Sequence, residues 1–226
     1  MSGDVDLATV GAAIGEPARA LMLNALLGGR ALPASELAQV AHVAPSTASA
    51  HLAKLTDAGL VTVEPHGRHR YHRLAGADVA HALEVLATIA PPLEIKTLRA
   101  ANRAGAERHA RSCYDHLAGE LGVAVTDRLV ELGALEPETL ALRDPAPLAP
   151  LRIDPDQLAG RRPLTRACLD WTERRPHVAG RLGAALLTTM LERDWLTRAP
   201  AGRALRLTPA GARGLDRALG LSAAAA

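Results

Sequence analysis

The segment from Ser35 to Arg73 constrains the fold of this chain more than any other. It begins with a short amphipathic stretch, residues 35–41, that predicts a helix, and residues 43–45 (Val-Ala-Pro) predict a tight turn. A longer helix is predicted from Pro45 to Ala58, because proline suits a first helical turn and Gly59 ends the pattern. Its buried side is expected to carry apolar residues at helical spacing, namely Ala48, Leu52 and Leu55.

Two β-rich stretches follow the second helix. Leu60 to Val63 predicts a strand, residues 65–67 (Pro-His-Gly) predict a turn, and residues 68–74 predict the returning strand. Two helices separated by a tight turn and followed by a hairpin have the order of a winged helix-turn-helix. In that fold the second helix enters the major groove of DNA, and the hairpin, or wing, lies beside it.

The second helix and the wing carry side chains suited to DNA. Small hydrogen-bonding groups at a helix N-terminus can approach base edges and phosphates, and we expect this role for Ser46, Thr47, Ser49, His51 and Lys54. Arginines beside a glycine turn suit phosphate or minor-groove contacts, and we expect this role for Arg68, Arg70 and Arg73. The alternative is that both surfaces are only solvated polar faces.

The residues before this segment complete a recognisable pattern. Two helices are predicted upstream, one ending near Ile14 and one from Pro17 to Leu27. The run AIGEPARALMLNALL, followed by ASELAQVAHVAPSTASAHLAKLTDAGLV and GRHRYHRL, resembles the ArsR/SmtB family of bacterial transcriptional repressors over about residues 7–90. The resemblance implies a homodimer on a palindromic operator, repression relieved by an inducer, and subunit pairing through the helix predicted from Asp78 to Ala90.

The sequence departs from the family pattern at two places. A polar or basic residue usually precedes the histidine of the reading helix in this family, whereas Ala50 precedes His51 here. The arsenic-sensing members carry Cys-Val-Cys on the first helix of the motif, whereas residues 37–40 read Leu-Ala-Gln-Val. The resemblance therefore implies a DNA-binding regulator that lacks this thiolate site.

The composition limits the remaining choices. Of 226 residues 48% are apolar, yet there is no Phe, so the core must be built from Leu, Ala and Val, which favours helices. The formal net charge of +2 is too small for general nucleic-acid coating, so DNA contacts depend on local charge. No apolar run spans a membrane and no signal-peptide pattern occurs, so we expect a cytoplasmic protein without membrane contact and with reduced cysteines.

These patterns predict a mostly α-helical protein with short β-hairpins, of the α+β class. We expect a winged helix-turn-helix domain for DNA binding and dimerisation in residues 1–90, ended by Pro91-Pro92. Residues 91–163 are predicted to be a helical connector, in which one helix continues through Cys113 to Gly119 and proline-rich irregular structure follows from Pro137. Residues 164–226 are predicted to form a third domain, for sensing or dimer support.

Residues 164–226 show a degenerate second copy of the winged-helix unit. The sequence His-Val-Ala occurs at 42–44 and again at 177–179, an offset of 135 residues, and the same offset relates Leu52 to Leu187, Thr62 to Thr197, Pro65 to Pro200 and Gly67 to Gly202. The copy predicts a helix from Leu182 to Asp194, a hairpin, and a last helix from Thr208. Its reading helix is too apolar for a DNA groove, so we expect it to support a ligand site or the dimer. Chance similarity is the alternative.

Each of the two cysteines lies in a similar local setting. Cys113 is followed by His116 and Leu-Ala-Gly, and Cys168 is followed by His177 and Val-Ala-Gly. Thiolates and imidazoles bind zinc and similar transition metals, so the four residues would form a Cys2His2 set, with Cys113 and His116 on one face of the predicted helix. The alternatives are thiols that only pack, a redox-active thiol pair, and a small organic ligand in a pocket lined by Tyr114, Trp171 and His177.

The pattern as a whole favours a sequence-specific DNA-binding transcriptional regulator, a homodimeric repressor released by an inducer. The inducer would be a metal ion, a thiol-reactive species or a small organic ligand. The second class is a winged-helix module that serves only protein contacts. The third is a metal-dependent enzyme; it is least favoured because no nucleophile elbow, phosphate loop or HExxH motif occurs and a closed Cys2His2 set leaves no position for substrate.

Overall fold

The computed structural model describes residues 4–67, 69–92, 94–95, 97–200 and 202–223. It divides into two compact units, Met1–Leu83 and Glu84–Ala226, and the boundary falls within a helix. Arg68, which we expect to contact phosphate, lies outside the described residues. Within the described ranges, no helix has the length and apolar character that crossing a membrane requires.

Helices and a small antiparallel sheet form the first unit. Its helices are α1 (Leu7–Ile14), α2 (Pro17–Leu26), α3 (Ala34–Val40) and α4 (Pro45–Asp57). Its strands are β1 (Leu32–Pro33), β2 (Val61–His66) and β3 (His69–Leu74), with β3 in the centre of the sheet. Since α3 packs against α4 and the hairpin β2–β3 follows, the predicted winged helix-turn-helix is confirmed.

Local sequence explains the ends of these elements. Both α2 and α4 begin with a proline, whose missing N–H has no partner at a first helical position in any case. Gly59 follows α4 with a φ of 71°, a left-handed conformation that favours glycine. The spacing along α4 is also as predicted, because its buried residues are Ala48, Leu52 and Leu55.

The second unit combines helices with two-stranded hairpins. Its helices are α5 (Ala77–Ile89), which crosses the boundary, α6 (Leu98–His109), α7 (Glu120–Glu131), α8 (Gly180–Glu192) and α9 (Pro209–Leu219). Short 3-10 helices, Ala146–Leu151 and Pro155–Gln157, lie in the proline-rich stretch. The hairpins are β4 (Arg111–Cys113) with β5 (His116–Ala118), β6 (Arg166–Leu169) with β7 (Pro176–Ala179), and β8 (Leu196–Arg198) with β9 (Leu205–Leu207).

The predicted helix through residues 113–119 is wrong. α6 ends at His109, and the chain then forms the hairpin β4–β5, in which Cys113 lies opposite His116. The physical reason is pairing with a distant part of the chain: the Ser112 N–H donates to the Arg203 carbonyl oxygen at 2.9 Å. Such long-range hydrogen bonds override a local helical pattern, because strand formation depends on its neighbours.

An internal repeat, a hairpin followed by a helix, organises the second unit. Both β4–β5–α7 and β6–β7–α8 contain Arg-x-Cys-x-Asp and then His-(Leu/Val)-Ala-Gly-x-Leu-Gly. α7 packs against β7, and α8 packs against β5, so that each helix covers the hairpin of the other repeat. Leu121 and Leu182, the equivalent leucines of the two repeats, lie in the same buried core.

Glycine is required where each repeat passes from hairpin to helix. Gly119 has a φ of 82° and Gly180 has a φ of 81°. A Cβ on Gly119 would lie 2.4 Å from the carbonyl oxygen of Arg108, and one on Gly180 would lie 2.8 Å from that of Leu164. Both the left-handed backbone and the close approach of another backbone segment therefore exclude a side chain.

The C-terminal elements follow the predicted order of helix, hairpin and helix, as α8, β8–β9 and α9. The predicted equivalence of residues 42–44 and 177–179 fails just before α8. Residues 177–179 lie in strand β7, whereas residues 42–44 form the turn between α3 and α4. α8 buries Leu182, Leu186, Leu187 and Met190. It is therefore a core helix.

Candidate DNA interface and candidate metal centre

The N-terminal half of α4 presents small polar side chains to solvent. Ser46, Thr47 and Ser49 are exposed in this half, and Lys54 is exposed in the last turn of the helix. The Ser49 hydroxyl donates to the Pro45 carbonyl oxygen at 3.0 Å, and no side chain caps the start of the helix. The surface therefore offers hydroxyls, an ammonium group and first-turn N–H groups, which are the donors that contact phosphates and base edges.

His51 occupies a different position from these residues. Its imidazole Nδ1 lies 3.3 Å from the Arg19 guanidinium and 3.6 Å from the Glu16 carboxylate, and 16% of its side chain is exposed. Arg19 in turn donates to the carbonyl oxygens of Ala12 and Ala13 at 2.7 Å. His51 thus links α4 to α2, and its role in a major groove stays a prediction.

The wing presents its arginines in two different settings. Arg70 is exposed on β3. The Arg73 guanidinium contacts the Glu64 carboxylate of the neighbouring strand at 2.9 Å, which partly neutralises it. Among the described arginines of the wing, Arg70 is therefore the better placed for a phosphate contact.

The second unit brings together all four residues of the predicted Cys2His2 set: Cys113, His116, Cys168 and His177. The ligand atoms of these residues lie within 4.8 Å of one another. The two sulfur atoms are 3.9 Å apart, and the two imidazole rings stack with centroids 5.0 Å apart. No member of the set is more than 4% exposed. The hairpin register produces this cluster, since each cysteine lies directly opposite the histidine of its own repeat.

A carboxylate lies beside each of the two imidazoles. His116 Nδ1 lies 3.4 Å from the Asp115 carboxylate, and His177 Nδ1 lies 3.7 Å from the Asp170 carboxylate. The Nε2 atoms of both histidines and the Nδ1 atom of His177 are buried without a hydrogen-bond partner among the described residues. The carboxylates thus face one nitrogen of each ring and leave the other nitrogen for a ligand.

Asp170 is the most highly connected of these acidic residues. Its carboxylate accepts hydrogen bonds from the Arg111 guanidinium at 2.8 Å, the Gly119 N–H at 2.7 Å and the Thr172 N–H at 2.9 Å. Burial alone would raise the pKa of Asp170, but the charge of Arg111 and the hydrogen bonds outweigh burial and hold that pKa well below its usual range. Asp170 therefore stays ionised in the interior and connects the two repeats.

The thiol pair differs in acidity. The hydrogen bond with Cys113 lowers the pKa of Cys168, burial opposes this effect, and the imidazoles of His116 and His177 lower it further. The same hydrogen bond, together with burial, raises the pKa of Cys113. Burial lowers the pKa of His116, but Asp115 and Cys168 outweigh it and leave that pKa raised. The cluster therefore stabilises a thiolate at Cys168, and the thiolate is the form that binds metal.

The three residues predicted to line a small-molecule pocket lie in the two hairpins that carry the Cys2His2 set. Tyr114 lies in the turn between β4 and β5, His177 belongs to the Cys2His2 set, and the ring of Trp171 lies 4.8 Å from the Arg111 guanidinium. A cleft of about 500 Å³ lies elsewhere in the second unit, between the proline-rich stretch and α8, and its lining includes Arg152 and Thr189. None of the three predicted residues lines this cleft.

Sequence reasoning did not identify Asp115, Asp170 and Arg111 as members of the site. A signal for them does exist, because the repeated Arg-x-Cys-x-Asp motif places an acidic residue two positions after each cysteine. Extending the comparison of the two cysteine segments to the residues next to each cysteine would have found both carboxylates.

Comparison with known proteins agrees with the arrangement of the first unit. Residues 14–64 match the helix-turn-helix domain family. The chain is 43% identical over 211 residues to YdfF, an uncharacterized HTH-type transcriptional regulator of Bacillus subtilis strain 168, and the match covers 91% of this chain and 93% of that protein. The chain belongs to the family of HTH-type transcriptional regulators. The prediction that this chain is a DNA-binding transcriptional regulator is therefore confirmed.

Solved structures resemble parts of the regulator. The homodimeric winged helix-turn-helix DNA-binding domain of Mb0332 from Mycobacterium bovis is 30% identical, with a TM-score of 0.35, and the match covers 39% of the regulator and 89% of that chain. The cadmium metal sensor CMTR from Mycobacterium tuberculosis is 33% identical, with a TM-score of 0.33, and the match covers 40% of the regulator and 94% of that chain. Each of these similarities covers less than half of the regulator.

Proposed function

We propose that the protein is a homodimeric repressor that binds a palindromic operator through α4 and the wing and is released by an inducer acting on residues 84–226. The observation that carries the proposal is the exposed row of Ser46, Thr47 and Ser49 at the start of α4, next to a basic hairpin. A helix N-terminus with small polar side chains reads base edges, and flanking arginines hold phosphates. The apolar core on the opposite side of α4 holds this surface in place.

Binding to the DNA upstream of the regulator's own gene tests the reading role. We expect a sequence-specific gel shift, weakened by Arg70→Ala equally on all sequences, because a phosphate contact carries no base information. Affinity falls as salt rises, and in this variant the plot of log affinity against log salt should be less steep by about 1. The reason is that about one fewer counterion is released on binding.

The matched control for this experiment is Arg143→Ala. This change removes one positive charge at an arginine that pairs with Glu136 in the other unit, 60% exposed. We expect its salt slope to equal that of the wild type. An unchanged slope in Arg70→Ala would refute the phosphate contact, and the lack of any sequence-specific shift would favour a module for protein contacts instead.

An exposed apolar face on α5 supports the homodimer. Val85, Leu86 and Ile89 are 47%, 43% and 79% exposed and follow one another at helical spacing. On the other side of the same helix, the Glu84 carboxylate is buried and bonded to Arg203. The orientation of α5 within the second unit therefore leaves these apolar side chains outside the core, where a second copy of the helix would bury them.

Charge on this face is expected to separate the subunits. In sedimentation experiments, Leu86→Glu and Ile89→Glu should each raise the dimer dissociation constant by about 10-fold to 100-fold, because each buries a carboxylate in an apolar contact. Ala141→Glu, which adds the same charge at an exposed position elsewhere, should leave the constant unchanged. Equal sedimentation of all four proteins over the concentration range would exclude α5 as the dimer contact.

A chain of contacts supports an inducer effect on α5. The Ser112 N–H, next to Cys113, donates to the Arg203 carbonyl oxygen at 2.9 Å, and the Arg203 guanidinium bonds to the Glu84 carboxylate. A change at β4 can therefore alter the position of the helix that carries the proposed dimer face. The gel shift provides the test: it should disappear on addition of one inducer class, whether metal ions, thiol oxidants or small organic ligands, and a shift resistant to all three would contradict this mechanism.

A further inference from the structure

We infer that Cys113, His116, Cys168 and His177 bind one zinc ion in a closed tetrahedral site that ties the two hairpin–helix repeats together. This inference goes beyond the proposed function and does not depend on it, because zinc binding by the second unit requires neither DNA nor a dimer. It rests on four observations: the distance between the sulfurs, the unpartnered imidazole nitrogens, the repeated carboxylates and the burial of the set.

The sulfur atoms already have the separation that a tetrahedral ion imposes. Two sulfurs, each about 2.3 Å from zinc, lie about 3.8 Å apart at the tetrahedral angle. The Cys113 and Cys168 sulfurs are 3.9 Å apart. All four ligand atoms lie within 4.8 Å of one another, so modest side-chain rotations would complete the coordination.

The histidines are oriented as zinc ligands. An imidazole that binds zinc through one nitrogen usually faces a carboxylate with the other, which fixes the tautomer and the ring orientation. Asp115 takes this position beside Nδ1 of His116 at 3.4 Å, and Asp170 lies 3.7 Å from Nδ1 of His177, close to this position but beyond hydrogen-bond distance. The remaining Nε2 atoms are buried without a hydrogen-bond partner in the described part of the chain, and such buried nitrogens are costly unless a ligand satisfies them.

Each carboxylate is in turn held by an arginine. The Arg162 guanidinium lies 2.6 Å from the Asp115 carboxylate, and the Arg111 guanidinium lies 2.8 Å from the Asp170 carboxylate. Each repeat thus supplies one thiolate, one imidazole and one restrained carboxylate. The two half-sites have the same ligand types, and they differ in that the Asp170 pair is fully buried whereas the Asp115 pair is partly exposed.

Three properties of the site identify the ion: the types of donor atom, the net charge of the ligands and the absence of an open coordination position. Two thiolates and two neutral imidazoles carry a net charge of −2, which a divalent ion cancels in a buried site. A tetrahedral set of two sulfur and two nitrogen ligands suits zinc, and four protein ligands without an open position are typical of structural sites. Ala118 and Ala179 pack around the two cysteines, so the thiol side of the site is apolar.

Purification of the full chain without chelators, followed by elemental analysis, is the first test. We expect one zinc ion per chain, and replacement by Co2+ should give the visible absorption of a tetrahedral thiolate site. Cys168→Ser should reduce the intensity of the sulfur-to-cobalt charge-transfer bands, because only the Cys113 thiolate remains, and it should weaken zinc binding by more than the roughly 100-fold that loss of an outer-shell partner can cause. Asp115→Asn should weaken zinc binding by about 10-fold, because it disturbs only ring orientation.

Two further proteins keep the test decisive if Cys168→Ser does not fold. Cys168→His preserves four ligands, so it should still bind Co2+, with weaker charge-transfer bands. His109→Ala removes a histidine outside the set and should match the wild type in both stoichiometry and spectrum. Failure of the reduced wild-type chain to bind Zn2+ or Co2+, or full binding by Cys168→Ser, would overturn the zinc site. Loss of DNA binding by a chain that retains its zinc would instead contradict only the proposed function.

Discussion

Replacing Asp170 with alanine is expected to lower the free energy of unfolding of the second unit by about 3–5 kcal/mol, because removing one member of a buried ion pair leaves the other charge unpaired in the interior. The Asp170 and Arg111 side chains are both fully buried, and their charged groups are 2.8 Å apart. Asp170 also accepts from the backbone of Gly119 and of Thr172, so its loss leaves several buried donors without a partner.

Urea unfolding followed by tryptophan fluorescence measures this effect, since both tryptophans of the chain, Trp171 and Trp195, lie in the second unit. The measurement is made with and without chelator, which separates the ion pair from bound metal. Arg111→Met should be destabilising to a similar extent, and the Arg111→Met/Asp170→Ala double variant should lose less than the sum of the two, because it leaves no unpaired charge.

An exposed ion pair of the same unit provides the control. Arg143 contacts Glu136 at 2.9 Å but is 60% exposed, and exposed pairs contribute only about 0–1 kcal/mol. Arg143→Ala should therefore change stability by less than about 1 kcal/mol. Losses of equal size for Asp170→Ala and Arg143→Ala would show that burial of the Asp170 pair has no special energetic role.

Gly119→Ala is expected to destabilise the second unit by about 2–3 kcal/mol, since a side chain at this position combines an unfavourable backbone conformation with a backbone clash. Gly119 has a φ of 82°, and a Cβ would lie 2.4 Å from the Arg108 carbonyl oxygen. Its N–H also donates to Asp170 at 2.7 Å, so a shift of the backbone that relieves the clash would weaken this hydrogen bond.

Gly133→Ala separates the two causes. Gly133 has a similar φ of 76°, but nothing lies within 4 Å of its added Cβ. In the same urea experiment, its substitution should lower the free energy of unfolding by only about 1–2 kcal/mol, the cost of placing a side chain on a left-handed backbone. If Gly119→Ala and Gly133→Ala destabilise the protein equally, the close approach of Arg108 is not what requires glycine.

The first unit could be predicted from sequence because its signals are local. Pro45 and Gly59 mark the ends of α4, and the apolar spacing between them gives its buried side. The predicted hairpin β2–β3 likewise follows from a β-branched stretch and a glycine turn. Each of these elements depends on residues within about one or two helical turns of one another, which is the range that periodicity reports.

The second unit could be predicted only in part, because its elements depend on distant residues. The sequence indicated the four members of the Cys2His2 set by residue type, and the structure brings them together. Helical spacing nevertheless assigned Cys113 and His116 to a helix, whereas they lie opposite each other in a hairpin. The roles of Arg111 and Asp170 were not predictable from spacing, since their contact joins residues 59 positions apart.

The exchange of helices between the two repeats also determines when this part of the chain can fold during synthesis. α7 has its packing partner in β7, and Cys113 has its neighbour in Cys168, 55 residues later. The first hairpin–helix repeat is therefore synthesised before β7 and Cys168, which pack against its helix and its thiol in the folded protein. Loop closure of this length slows folding and leaves the intermediate open to aggregation or oxidation. Zinc supplied during translation would act at the moment when the second hairpin arrives.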